Sequence, residues 1–595
     1  MTRIPLRPLA RILRARQNGE NPDAIERENL RLRNEDLRDR NRLRAEGRLL
    51  VLGVFFFCAF SVVGARMGLM AASEAAEPRG IDSDTRIVAQ RADIVDRRGR
   101  ILATNLLTRA LYATPPIMVD KPRAARELAA IFPDMEEAEL LKQFSGSRKF
   151  LWIKKKLSPE QQQQVHDIGE PGLLFGPREM RLYPNGSLAS HVLGGYGFGR
   201  EGVYAAEVIG TAGVEKNFDE FLRDPAEQGR PLELSIDLTV QAAVERVLSG
   251  GMRMMNAKGA SAVLMDVSSG EIIAMSSLPD FDPNNRPTPL TTGDASDSPL
   301  FNRALQGVYE LGSVFKIFVA AQAMELGLVN ADTMVDAKPP FVWGKFKIGE
   351  FEGKNYGPRL SVTDVIVKSS NVGTANMVMM IGQERQKKFL ASLGLFEPTP
   401  VEMVEAHGAK PLIPARWTEL TTITAGYGHG MSVSPVHLAA AYAAIVNGGT
   451  KVAPTLLKRD RPVIGPRVLS SANSAAARSM LRQVVTRGTA SFGEVPGYAV
   501  GGKTGTADKP KPSGGYYENK VIATFASIFP ADDPRYVLIV TLDEPVETSG
   551  PKPRRTAGWT SVPIGAEIIR RTAPLLGLRP VIEQASANGL RLTSE

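Results

Sequence analysis

The hydrophobic pattern changes character three times along the chain. Residues 49–70 read LLVLGVFFFCAFSVVGARMGLM, an apolar run whose only charge is Arg66 near its far end. Roughly 20 such residues at ~1.5 Å rise cross a bilayer core as one helix. Arg66 can extend its side chain toward the interface. No second run of this kind occurs. A cleaved signal peptide is the alternative, but its leading region would be unusually long, although AASEAA after the run resembles a cleavage site. Before the run, residues 22–48 are highly charged and helical in pattern; Leu30 and Leu37 are seven apart, yet Leu32 and Leu43 break a clean heptad.

After a polar linker at 71–85, shorter periods take over. RADIVDRRGRILATNLLTRALYAT (91–114) alternates as strand, turn at Arg98-Gly99, and strand. Three helix signatures follow between 121 and 166; the last opens on Ser158-Pro159-Glu160, a serine cap with proline in the first turn. Residues 181–229 read as a turn-rich α+β region. Near residue 230 the pattern shifts again. PLELSIDLTVQAAVERVLSG gives a strand and then a helix capped by Asp237, and 259–279 gives a hairpin turning at Ser268-Ser269-Gly270. A loop at 280–300 leads to an apolar-periodic helix opening at Ser313. At the far end, 521–530 and 536–545 form another hairpin, and 557–576 closes with a helix. Strand groups therefore bracket a helical middle, which predicts one α/β domain whose sheet draws strands from both ends. The domains expected are a basic segment at 1–48, a membrane helix at 49–70, an α+β region at 71–229, an α/β domain at 230–578 and a tail at 579–595.

Composition changes this picture little. A chain of 595 residues is too long for one core. Its 43 % apolar and 23 % charged content exclude wholesale disorder. The net charge of +9 includes a local excess: residues 1–48 carry 13 Arg against 8 acidic residues. Arginines beside an apolar span are explained by the positive-inside rule, which keeps that flank cytoplasmic and places residues after the span outside; nucleic-acid binding is not required. The single cysteine, Cys58, lies inside the span, so the outer part has no internal disulfide and no thiolate zinc site. The five histidines are scattered, and neither metal nor cofactor is expected.

Candidate chemistry begins with Ser313 and Lys316 in YELGSVFKIFVAAQAME. Three apart on a helix, they share a face. A serine hydroxyl needs a base within about 3 Å to act as a nucleophile near neutral pH. Lysine serves only if desolvation or a positive field lowers its pKa, and Phe315, Ile317, Phe318 and Val319 supply apolar cover. A bare Ser-x-x-Lys is a short pattern that a solvated helix face produces by chance. Two further strings change its weight. Ser369-Ser370-Asn371, a turn before a helix, can place a hydroxyl beside the lysine and an amide toward substrate, though it also reads as an ordinary cap. Lys503-Thr504-Gly505-Thr506 offers a cation, two hydroxyls and a glycine that lets substrate backbone approach, a cradle for a carboxylate. Gly497, Gly502 and Lys503 invite a nucleotide loop, but no phosphate-binding helix follows before Pro510. Glycines 195, 197 and 199 lack a βαβ frame, and Asn185-Gly186-Ser187 is a turn more simply than a glycosylation site.

Ser-x-x-Lys, Ser-x-Asn and Lys-Thr-Gly in this order are the signature set of penicillin-binding proteins and serine β-lactamases. With RADIVDRRGRILATN (Ala92 at a usual glycine), RLYPNGSLASHVLGG, GVEKNFDEFL and ELGSVFK (Leu311 at a usual proline), the chain resembles a class B penicillin-binding protein from its anchor to about residue 575. GYGHGMSVSPVHLAAAYAAIVNGG (426–449) resembles the helix after the active site of the division-specific type. The resemblance implies a penicillin-binding transpeptidase (β-lactamase-like) domain after an extended pedestal and one transmembrane helix, in the inner membrane with the catalytic part periplasmic. It also implies roles. Ser313 is the nucleophile on a D-Ala-D-Ala donor stem peptide and Lys316 its base; Ser369 relays protons and Asn371 holds the donor amide. Lys503, Thr504 and Thr506 recognise the terminal carboxylate beside Gly505, and the N–H groups of Ser313 and Thr506 form the oxyanion hole. An amine acceptor closes the cross-link, and β-lactams acylate the same serine. Without a polymerising domain, a membrane glycosyltransferase and other division proteins are the expected partners. Three alternatives stay open: the elongation-specific transpeptidase, a β-lactamase or penicillin sensor, and a non-catalytic scaffold.

Overall fold

Pro22 follows Asn21, whose side chain accepts from the Asp23 N–H (3.1 Å), and its fixed φ suits a first helical position. From there the chain runs as one helix, Pro22–Ala72, continuous through the charged flank and the apolar span. Arg31–Glu35 and Arg42–Glu46 pairs at i,i+4 lace the polar half. The apolar half, Glu46–Met67, is long enough to cross a membrane and exposes Phe55, Phe57 and Phe60 along its sides. Among the described residues no other helix passes that test, and this N-terminal helix is the membrane span they contain. The computed structural model describes residues 7–72, 91–201, 206–462, 465–511 and 514–581. The expected linker at 71–85 and tail at 579–595 lie mostly outside them. Residues 1–88 and 89–595 form separate units.

In the second unit, Ile101–Ala113 is the long strand that organises the first sheet. It pairs antiparallel with Ile94–Val95, Leu151–Leu157 and Leu173–Leu182. Ile94–Val95 in turn takes Leu232–Glu233 as a parallel neighbour. Helices Lys121–Ile131, Glu137–Ser145 and Pro159–Asp167 bury Leu128, Phe144 and Val165 in a small core with Leu111 and Phe132. Ser158 and Gln161 cap the third helix reciprocally. A buried ionic cluster ties this region together: Glu215 receives Arg91 and Arg181 at 2.7 Å each, and Arg91 also reaches Asp219 at 2.7 Å. Burying such charges is tolerable only because each has a partner.

The larger core surrounds a five-stranded antiparallel sheet in the order Gly501–Pro510, Tyr516–Phe529, Tyr536–Asp543, Gly259–Asp266, Ile272–Leu278. The sheet thus joins both ends of the domain, as the strand groups predict. Tyr536–Asp543 is buried at every position, so both of its faces are covered. Leu238–Met254, capped by Asp237, packs on Ser561–Leu575 and on the sheet, as does the apolar helix Pro435–Val446. Gly501–Pro510, which the sequence marks only as a glycine-rich cradle, is one of the sheet's two edge strands.

Candidate active site

Ser313 sits on a 3₁₀ turn, Gly312–Phe315, and the α-helix Lys316–Glu325 starts one turn later than its periodicity implies. The turn is wedged between neighbours. A Cβ on Gly505 would lie 2.1 Å from the Leu311 carbonyl oxygen, and one on Gly428 2.1 Å from that of Gly312. Only glycine at both places allows the edge strand and the 427–430 loop to close on the serine turn. Behind it, the Tyr442 hydroxyl donates to the Val314 carbonyl at 2.7 Å.

Lys316 is fully buried. Its Nζ donates to the Ser369 carbonyl (2.6 Å), Asn371 Oδ1 (2.7 Å) and Ser369 Oγ (3.3 Å). These partners are neutral. Burial therefore pushes its pKa down to about 7, against a weaker upward pull from the Glu350 charge. Lys503, equally buried, donates to Ser369 Oγ (2.9 Å) and to the Thr504 carbonyl (3.0 Å). Its pKa is held well below the ordinary lysine value by burial and then by Lys316. Lys509, on the same strand, provides the contrast: ion pairs to Asp543 and Glu544, each under 3 Å, leave its pKa raised even though burial pulls the other way.

Ser369 stands between the two amines in a left-handed conformation, φ 60°, that breaks Val362–Lys368 from the helix Asn371–Ile381. Ser370 caps that second helix on Gly373. Ser313, Ser369, Asn371, Thr504 and Thr506 line one cleft of about 870 Å³, while Lys316, Lys503 and Gly505 stand behind its wall. The eight residues singled out for the serine–lysine chemistry are thus gathered at one place. Lys503 differs from the expectation in detail: the two threonines face the cleft, and its amine points at Ser369. The Thr506 hydroxyl accepts from the Ala557 N–H (3.0 Å), and Thr504 shares a hydrogen bond with Thr489 (2.7 Å). The 426–449 stretch divides. Tyr427 and His429 lie in a loop on the cleft, and the helix begins only at Pro435, after the Ser434 cap.

Sequence reasoning missed Glu350, Thr489, Gly428 and Tyr442. Glu350 is nearly buried and accepts from the Ser370 hydroxyl and from the N–H groups of Asn371 (2.8 Å) and Val372 (3.3 Å). Its surroundings, FKIGEFEG, contain no local signal of such a role. Among the described residues no cluster of His, Cys, Asp and Glu is arranged to hold a metal.

The fold and its serine–lysine site define a penicillin-binding transpeptidase domain behind a pedestal. The transpeptidase domain profile of penicillin-binding proteins matches residues 260–569 and their dimerisation-domain profile matches 86–229, and the chain belongs to this family. It is 34 % identical over 543 residues to the probable peptidoglycan D,D-transpeptidase FtsI of Caulobacter vibrioides, covering 89 % of this chain and 88 % of the relative. It is 30 % identical to stage V sporulation protein D of Bacillus subtilis (90 % and 86 % covered) and 29 % identical to FtsI of Escherichia coli K12 (77 % and 80 % covered). Penicillin-binding protein 3 of Mycobacterium tuberculosis, solved with aztreonam, superposes with a TM-score of 0.63 at 26 % identity, covering 83 % of this chain and 97 % of that one.

Proposed function

We propose that this protein is a serine D,D-transpeptidase that cross-links peptidoglycan stem peptides at the division septum. The observation that carries the reading is Lys316, an amine with no acidic hydrogen-bond partner, buried and held beside Ser369 and Asn371 with a pKa near 7. In the first step the Ser313 oxygen attacks the carbonyl of the penultimate D-alanine, and Lys316 takes the hydroxyl proton. The oxyanion is received by the N–H groups of Ser313 and Thr506; one such donor contributes about 3 kcal/mol to the transition state. The carbon–nitrogen bond then breaks. Ser369, bridged to both amines, passes the proton to the departing D-alanine, leaving an ester on Ser313. In the second step the amine of another stem peptide attacks that ester, its proton returns through Lys316, and the serine is freed. Thr504 and Thr506 hold the donor's terminal carboxylate, with Lys503 lending positive potential from behind. β-Lactams enter the same path and stop at the ester; that the similar penicillin-binding protein 3 is solved complexed with aztreonam supports β-lactam binding.

The membrane helix holds the chain in the inner membrane with the arginine-rich end cytoplasmic and the domains at 71–229 and 230–578 periplasmic. A membrane glycosyltransferase supplies the glycan strands, with other division proteins alongside. Two relatives named as FtsI favour division over the elongation-specific alternative. Depleting the protein in cells separates these two readings: filaments support division and rounded cells overturn it. Fluorescent penicillin labelling tests the chemistry. Labelling of wild type that disappears in Ser313→Ala supports the reading, and label persisting in that variant overturns it in favour of a scaffold.

A further inference from the structure

The acyl-transfer reading leaves unexplained how Asn371 is aimed. Its Oδ1 accepts from Lys316 (2.7 Å), and its Nδ2 donates to the Gly349 carbonyl (3.0 Å). A flipped amide would set two donors together at Lys316 and two oxygens together at Gly349, so the Gly349 carbonyl fixes which way the amide points. Gly349 lies some 22 residues upstream, in a separate segment after the short strand Phe346–Ile348. What keeps that segment on the helix is the next residue. The Glu350 carboxylate takes the Ser370 hydroxyl and two of the first N–H groups of Asn371–Ile381, where a helix start favours negative charge.

We infer that Glu350 is a positioning residue of the reaction: it pins the Gly349 carbonyl against Asn371, thereby orients the amide that holds Lys316, and presents a negative charge to that buried amine. The inference rests on the acyl-transfer reading and adds to it a group outside the three motifs. Other charges face this arrangement. Lys503 opposes Lys316 from the edge strand. Tyr356, whose pKa is raised by burial and by the charges of Glu350 and Glu352, lines the cleft with Lys368 over its ring at 5.8 Å. Asn371 and Ser369 are neutral. The field of Glu350 works against desolvation at Lys316, so removing that charge makes the amine easier to deprotonate.

The test is the second-order acylation rate of the full-length, detergent-solubilised protein by a chromogenic cephalosporin, followed against pH for wild type, Glu350→Gln and Glu350→Asp. The glutamine keeps one acceptor oxygen and loses the charge. We expect its acid limb to move to lower pH and its alkaline plateau to fall by roughly tenfold or more, the scale of losing a hydrogen bond to a charged group. The aspartate keeps the charge but withdraws it by one methylene. Its limb should stay with wild type while its plateau falls. A lowered plateau with an unmoved limb in Glu350→Gln describes a purely structural cap and overturns the inference. If Glu350→Gln does not fold, a Glu350→Asp plateau equal to wild type overturns it instead. Wild-type protein that forms no adduct on Ser313 counts against the acyl-transfer reading itself, which keeps the two failures apart.

Discussion

Ser313 and Lys316 differ from a Ser-x-x-Lys pair on a solvated helix face in what surrounds the amine. A lysine donating to a carboxylate stays charged, as Lys509 does; one donating to a carbonyl, an amide and a hydroxyl in a dry site gives up its proton near neutral pH. Acylation should therefore fall as pH drops through about 7, because the protonated amine cannot accept the serine proton. The same burial has a stability consequence. The unfolded chain binds this proton with an ordinary lysine pKa and the folded site releases it near 7, so this group makes folding less favourable as pH falls between those values. Replacing Lys316 by arginine, which remains charged, should lower the acylation rate by roughly two to four orders of magnitude at any pH the fold survives. Stopped-flow acylation across pH checks both statements. An arginine variant at wild-type rate would mean that the base lies elsewhere.

At the scale of elements, the site depends on an edge strand pressed against a tight turn. Gly505→Ala brings a methyl group against the Leu311 carbonyl, and backbone on both sides leaves little room to give way. Penicillin labelling should fall by roughly a hundredfold, and far more than thermal stability suggests. Ser158→Ala is the control far from that contact. Losing the capping box should cost about 1 kcal/mol, seen as a small drop in Tm, with labelling unchanged. These two cases also mark what the sequence could reveal. The capping box, the Asp237 cap and both hairpins are written in residues a few positions apart, so local chemistry announces them. The 3₁₀ start at Ser313, the edge strand at 501–510 and the loop at 427–434 are decided by what packs on them. Glu350 and Thr489 are harder still: each earns its place through a contact with a residue 15 or more positions away, and nothing in its own neighbourhood distinguishes it. The charged flank and the apolar span carry different patterns, yet helical backbone hydrogen bonding runs unbroken through both.

At the scale of the whole molecule, two cores of unequal size divide the work. The smaller packs three short helices on the long strand Ile101–Ala113. The ionic cluster of Arg91, Arg181, Glu215 and Asp219 holds segments together that lie more than a hundred residues apart. Glu215→Gln leaves two buried guanidinium groups short of charge and should cost roughly 3 to 5 kcal/mol. Calorimetry should show a lower unfolding temperature, while penicillin labelling at low temperature persists because Glu215 does not line the cleft. Loss of labelling in a folded variant would instead place the catalytic cleft under the control of this cluster. The central claim is that Ser313 becomes covalently acylated with Lys316 as its base. Intact-protein and peptide mass spectrometry after incubation with penicillin tests it most directly. One β-lactam equivalent on the peptide containing Ser313, absent in Ser313→Ala and much slowed in Lys316→Arg, is the predicted result. No adduct on the folded protein, or an adduct on another residue, would contradict it.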